Sequence, residues 1–204
     1  MGRILRRISG GVGTYVLSYL LVGLATLPLM PQILQPSRNP PGEARMLWLA
    51  YTDAGQPFWK AVGWVLLNTH SIPVDTHFIG PSLSGGTTVD VVGGYEWLYL
   101  VPAVACLLGG AATVVLSANS SPIELAVGSY LAVGYAGTAV LSASIFEINT
   151  SKAGVGMMMR LSTWNMTWLI AIVGYPLVFG TLGAFIAQSP LLQDIQFRRL
   201  NRDG

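Results

Sequence analysis

The chain has 204 residues, 52% of them hydrophobic and 10% charged, with a formal net charge of +2. Soluble domains carry roughly 25% charged residues, so this composition excludes a fold that covers itself with polar surface, and so small a net charge gives no reason to expect nucleic acid. The single cysteine, Cys106, excludes an internal disulfide and stands in an apolar run where it packs as a small hydrophobe.

A helix needs about 20 mainly apolar residues to cross a bilayer. Four stretches reach that length, at 10–30, 97–118, 122–146 and 168–187. They predict an all-α integral membrane fold: one membrane domain over 1–204, built as a four-transmembrane-helix bundle. The first stretch, "GGVGTYVLSYLLVGLATLPLM", follows Arg3, Arg6 and Arg7. It is longer than the roughly 7–15 residues of a signal-peptide core, and no A-x-A-like site follows, so a retained anchor helix is expected.

Residues 31–96 are too long for a simple connector. The segment opens with the proline-rich "PSRNPPGE", which cannot be helix. "MLWLAY" and "FWKAVGWVLLNTH" follow, each shorter than a span, with Trp48, Trp59 and Trp64 of the type that anchors at a membrane surface. The expectation is an interfacial or re-entrant helix over 58–70; the alternative pairs it with 46–51 as a broken fifth span. Next, "IPVDTHFI" and "TTVDVV" alternate around "GPSLSGG", the pattern of a small β-ribbon.

The second and third spans join at "NSSP", where Ser121 is placed as an N-cap and Glu124 as the acid of a capping box. Small residues allow close packing where lipid gives helices little other reason to associate. The third span offers Gly128, Ala132 and Ala136 on one face, and Gly134, Thr138 and Ser142 on another. The fourth offers Gly180 and Ala184, with Gly183 beside them. Packing within the chain is the first reading of these faces and a homo-oligomer seam the second. Pro176 removes an amide near the middle of the fourth span and predicts a kink. A second loop, 147–165, precedes this span and a tail, 188–204, follows it.

Basic residues near the span ends set orientation. Arg3, Arg6 and Arg7 lie before the first span and Arg198, Arg199 and Arg202 after the last, so both termini are expected in the cytoplasm of a cell-membrane protein. The loops 31–96 and 147–165 are then extracytoplasmic. Asn149-Thr150-Ser151 and Asn165-Met166-Thr167 match the N-glycosylation pattern in the second of them.

The four stretches hold no Asp, Glu, Lys, Arg or His at their centres. Ion-coupled transport normally uses intramembrane ionisable groups, so their absence weakens that reading; Tyr15, Tyr19, Tyr130 and Tyr135 supply only hydroxyls. Outside the spans, His70, Asp75 and His77 are the candidates for chemistry. On an extended "VDTH", Asp75 and His77 share a face, and His70 could join them as a third ligand. The spacing matches no zinc pattern, and His70 also suits the end of the 58–70 helix, where a donor meets terminal carbonyls. In "GPSLSGG" the hydrolase elbow G-x-S-x-G is broken by Ser84.

Lys60, Trp64, Asn68 and His70 carry a resemblance. "WK..GW...N.H", together with the opening "GGVGTYVLSYLL", resembles uncharacterised multi-pass membrane proteins of haloarchaea, over about a third of the chain. The resemblance implies a membrane fold and carries no assigned activity.

The functional expectation is non-enzymatic, without a cofactor: a structural or accessory subunit in the lipid bilayer whose outer loops, or small-residue helix faces, meet a protein partner or a second copy. The alternatives are a passive channel or transporter for a small solute, and a metal-dependent membrane enzyme on His70, Asp75 and His77.

Overall fold

The structure is a computed structural model that describes residues 2–29, 57–72, 74–79, 84–89, 95–116, 126–152, 155–161 and 166–189. The helices are α1 (Gly2–Thr26), α2 (Phe58–Asn68), α3 (Leu100–Val115), α4 (Ala126–Phe146) and α5 (Met166–Ala187). Short 3₁₀ turns follow α1 at Leu27–Leu29 and precede α3 at Glu96–Tyr99. Four of these segments, Ile4–Thr26, Glu96–Val115, Val127–Phe146 and Met166–Ala187, are long and apolar enough to cross a membrane.

α1 begins at Gly2, eight residues before the expected start, and so takes Arg6 and Arg7 into its first turns. Arginine is a good helix former, so the basic cluster extends the helix instead of delimiting it. At the other end the helix closes at Thr26, and Pro28 lies in the 3₁₀ turn beyond it. α5 runs unbroken through Pro176, which is buried. The capping pair Ser121 and Glu124, the 46–51 segment, Trp48, Asn165 and the arginines of the tail lie outside the described residues.

The four long helices form a ring in which α1 packs on α3 and α4, and α5 packs on the same two. Consecutive α3 and α4 thus face each other across a diagonal. Glycine sets the separations. A Cβ on Gly134 would run into the Ile8 carbonyl, and one on Gly11 into the Leu131 carbonyl, so α1 and α4 touch backbone to backbone. Gly110 and Gly183 do the same for α3 and α5, against the carbonyls of Gly180 and Leu107. Gly128 meets Thr181 and the Leu177 carbonyl across α4 and α5. Both small-residue faces of α4 are therefore used within the chain, one toward α1 and one toward α5. Ala132 and Ala184 are buried, and Ala136 is partly buried against the main core. Outward, α1 exposes Val12, Val16, Leu20 and Leu24 at four-residue steps, the apolar face that a bilayer covers.

At one end of the bundle stands a four-stranded antiparallel sheet in the order β2-β1-β4-β3. Its strands are β1 (Val74–Ile79), β2 (Ser84–Val89), β3 (Ile148–Lys152) and β4 (Val155–Leu161). Where the sequence pattern predicts a two-strand ribbon from the first loop alone, the second loop adds a hairpin that pairs β4 with β1 from Val74↔Leu161 to Ile79↔Gly156. A continuous run such as "VGMMMRL" shows no period of two, which is why its strand character is not legible in the pattern.

α2 falls in the segment read as an interfacial or re-entrant helix. An interfacial helix would keep one face in solvent or headgroups. Here every residue from Val62 to His70 is buried, and only its first turn, with Phe58 and Trp59, is exposed. Trp64 is a core residue at 1% exposure and no surface anchor, and its indole nitrogen lies buried without a hydrogen-bond partner. The segment "VGWVLL" is apolar on every side, and a helix apolar all round is one that is buried. Gly63 makes room for it, since a Cβ there would strike the Phe146 ring.

Candidate functional site

The direction of α2 follows from its two ends. At its start the Lys60 ammonium donates to the Glu147 carbonyl at 2.8 Å, level with the sheet end of α4, and the Tyr19 hydroxyl donates to the Trp59 carbonyl at 2.8 Å. At its finish, His70 reaches Tyr135, the tenth of the 21 residues of α4. Twelve residues of helix separate Glu147 from Tyr135, so α2 descends roughly 18 Å into the bundle. It ends midway between the two faces.

The local chain ends the helix there by a tight reversal. Thr69 is the C-cap, the His70 amide donates to the Leu67 carbonyl at 3.0 Å, and the Ser71 amide to the Asn68 carbonyl at 2.8 Å. Ser71 takes a left-handed backbone with φ 56°, the conformation that commonly closes a helix. The Asn68 side-chain amide donates to the Ile72 carbonyl at 3.2 Å and ties the returning strand to the helix.

His70 is 1% exposed. Its Nδ1 lies 2.8 Å from the Leu66 carbonyl oxygen, and its Nε2 lies 2.8 Å from the Tyr135 hydroxyl. A carbonyl only accepts, so Nδ1 carries the hydrogen. The Tyr135 hydroxyl also reaches the Ser18 hydroxyl at 3.2 Å, and Ser18 donates to the Thr14 carbonyl at 3.0 Å. One hydrogen-bonded path therefore runs from α2 through α4 to α1. Around it Tyr15 packs edge-on to Tyr135 at 5.1 Å and shares a hydrogen bond with Ser142. The Tyr175 ring stands 5.4 Å from the imidazole, and its hydroxyl donates to the Tyr99 carbonyl at 3.3 Å. All five helices contribute to the core around it, α3 through Cys106 and Val101.

The three residues proposed as metal ligands are not brought together. His70 turns into the bundle with both ring nitrogens engaged. Asp75 and His77 share one face of β1, opposite Arg160 and Met158 of β4. Among the described residues no group of three or more His, Cys, Asp or Glu side chains is placed to hold a metal ion. Asn149 is exposed on β3, paired with Met158.

Sequence reasoning finds the pieces of the buried site and misses the whole. The spans hold no Asp, Glu, Lys, Arg or His at their centres, yet a shorter helix carries His70 between them. Ser18 as a partner was legible only in its spacing, three residues after Tyr15 and hence on the same face. No curated protein and no solved structure matches the chain. A family model described as a family of unknown function, DUF7978, matches residues 1–190, so the chain belongs to that family.

Proposed function

We propose that the chain is a non-enzymatic, multi-pass protein of the cell membrane that passes an ion or small polar solute through its bundle, with His70 as the working group. Basic residues at the open end of α1 support termini on the cytoplasmic side, and the sheet then faces outward. The observation that carries the reading is the delivery of a histidine to the middle of the bundle by a helix that enters from one side and stops. An ionisable residue at that depth is costly to place and by default marks a pathway, and half-length helices ending at the midplane are how transport proteins build such sites. The case for a purely structural subunit rests on spans empty of ionisable groups, and α2 fills that gap. The purified full-length chain in liposomes should raise the flux of protons or small polar solutes above that of protein-free vesicles. His70→Ala should cut that flux by roughly tenfold or more, the scale of one lost buried hydrogen bond. Wild-type vesicles that stay tight to every ion and solute tried would remove the reading.

A second reading, an accessory subunit meeting a partner, is favoured by one feature. Asp75, His77, Asn149, Met158 and Arg160 fall on a common face of the sheet, a mixed-charge surface suited to a polar partner. Co-purification in mild detergent tests it. A partner lost on Arg160→Glu supports it, and a chain that purifies alone counts against it.

A further inference from the structure

We infer that the His70 site binds a proton, because its hydrogen-bond chain has four links and only three hydrogens when the imidazole is neutral. This deepens the transport reading by naming the ion, and it rests on His70 as the working group there. The chain is bounded at each end by a backbone carbonyl, Leu66 and Thr14, neither of which can donate. Between them lie the imidazole, the Tyr135 hydroxyl and the Ser18 hydroxyl, joined by contacts of 2.8, 2.8, 3.2 and 3.0 Å. A neutral imidazole supplies one hydrogen and each hydroxyl one. With Nδ1–H given to Leu66, Tyr135 must donate either to Nε2 or to Ser18, and the other contact is empty.

One proton from the aqueous phase completes the set. It forms an N–H bond at Nε2, and that N–H donates to Tyr135. Tyr135 is thereby released to donate to Ser18, the direction its geometry already favours, and Ser18 keeps its bond to Thr14. No other bond is made or broken, and the site gains one positive charge. Burial opposes that charge, while the two imidazolium hydrogen bonds, stronger than neutral ones, favour it. Uncharged side chains surround the site: Tyr135 on α4 and Tyr175 on α5 stand against the ring, Tyr15 on α1 stands against Tyr135, and Cys106 on α3 belongs to the same core. The described acids Asp75, Glu96 and Glu147 all lie at the sheet end, outside the bundle core, so no described carboxylate supplies the compensation. Solvation of the proton falls to the hydroxyl chain.

The test is a pH titration of His70 by ¹⁵N NMR in full-length chain reconstituted in phosphatidylcholine vesicles, with His77→Gln leaving a single imidazole. At high pH one ring nitrogen should be protonated, Nδ1, and one bare; as pH falls both should become N–H. Tyr135→Phe removes the acceptor of Nε2–H and should lower the midpoint by one pH unit or more, a tenfold loss of proton affinity. Ser18→Ala removes the acceptor of the released tyrosine hydrogen and should lower it in the same direction, with circular dichroism showing that the helices persist. If Tyr135→Phe fails to fold, Ser18→Ala carries the test alone. A midpoint unmoved in the folded variants, or a bare Nε2 at every pH at which the chain is folded, overturns the proposal. Titration without solute flux would remove transport and leave the proton site standing, while flux past an imidazole that never titrates would do the reverse.

Discussion

His70 illustrates what burial demands of a single polar side chain. An imidazole at the centre of a bundle loses water on all sides, and each nitrogen left without a partner costs about 1–3 kcal/mol. The Leu66 carbonyl meets one requirement within the same helix and Tyr135 meets the other across it. Tyr135→Phe should therefore destabilise the chain by about 1–3 kcal/mol, read as a lower unfolding midpoint in detergent. Tyr19→Phe, whose hydroxyl serves the Trp59 carbonyl at the exposed entrance of α2, should cost less than that, since water can replace the lost bond. Equal costs at the two tyrosines would contradict the buried placement of the first.

At the scale of elements, glycine decides how near the helices lie. Gly134 and Gly137 are three residues apart on α4 and face opposite surroundings. A Cβ at Gly134 would collide with the Ile8 backbone, whereas one at Gly137 would meet open space. Gly134→Ala must push α1 and α4 apart and should cost about 1–3 kcal/mol, while Gly137→Ala should gain up to about 1 kcal/mol from lower backbone entropy in the unfolded chain. Opposite signs in the two unfolding midpoints are the expected result; two shifts of the same sign would mean that α1 and α4 are not in backbone contact. The long helices were legible because twenty apolar residues have few other uses, and the two small faces of α4 were legible from their four-residue spacing. The GG pairs at 10–11 and 109–110 were not, since a glycine in an apolar run does not announce which neighbour it admits. How deep α2 sits was not legible for a related reason. Its Trp59 and Trp64 share one residue type but lie on opposite sides of the entrance, 42% and 1% exposed, and a single sequence does not show where along a helix the surface is crossed.

The whole molecule combines two devices. Four spans build a ring whose outer face is apolar and whose inner face carries Thr14, Ser18 and Ser142, each buried. A fifth helix enters from the sheet end and packs on α1 and α4, and its last turn reaches Ser18 through the Tyr135 hydroxyl. The sheet joins β1, which follows α2, to β4, which precedes α5. The site could not be read from the four spans because it belongs to none of them; it exists only where the end of a short buried helix meets the middle of two long ones. Solid-state NMR of the full-length chain in lipid, with histidine and tyrosine labelled, tests that meeting most directly. The account predicts a through-space cross-peak between His70 Nε2 and the Tyr135 ring, consistent with the 2.8 Å contact and lost in Tyr135→Phe. A His70 that shows no tyrosine cross-peak would take the end of α2 away from α4 and contradict the account.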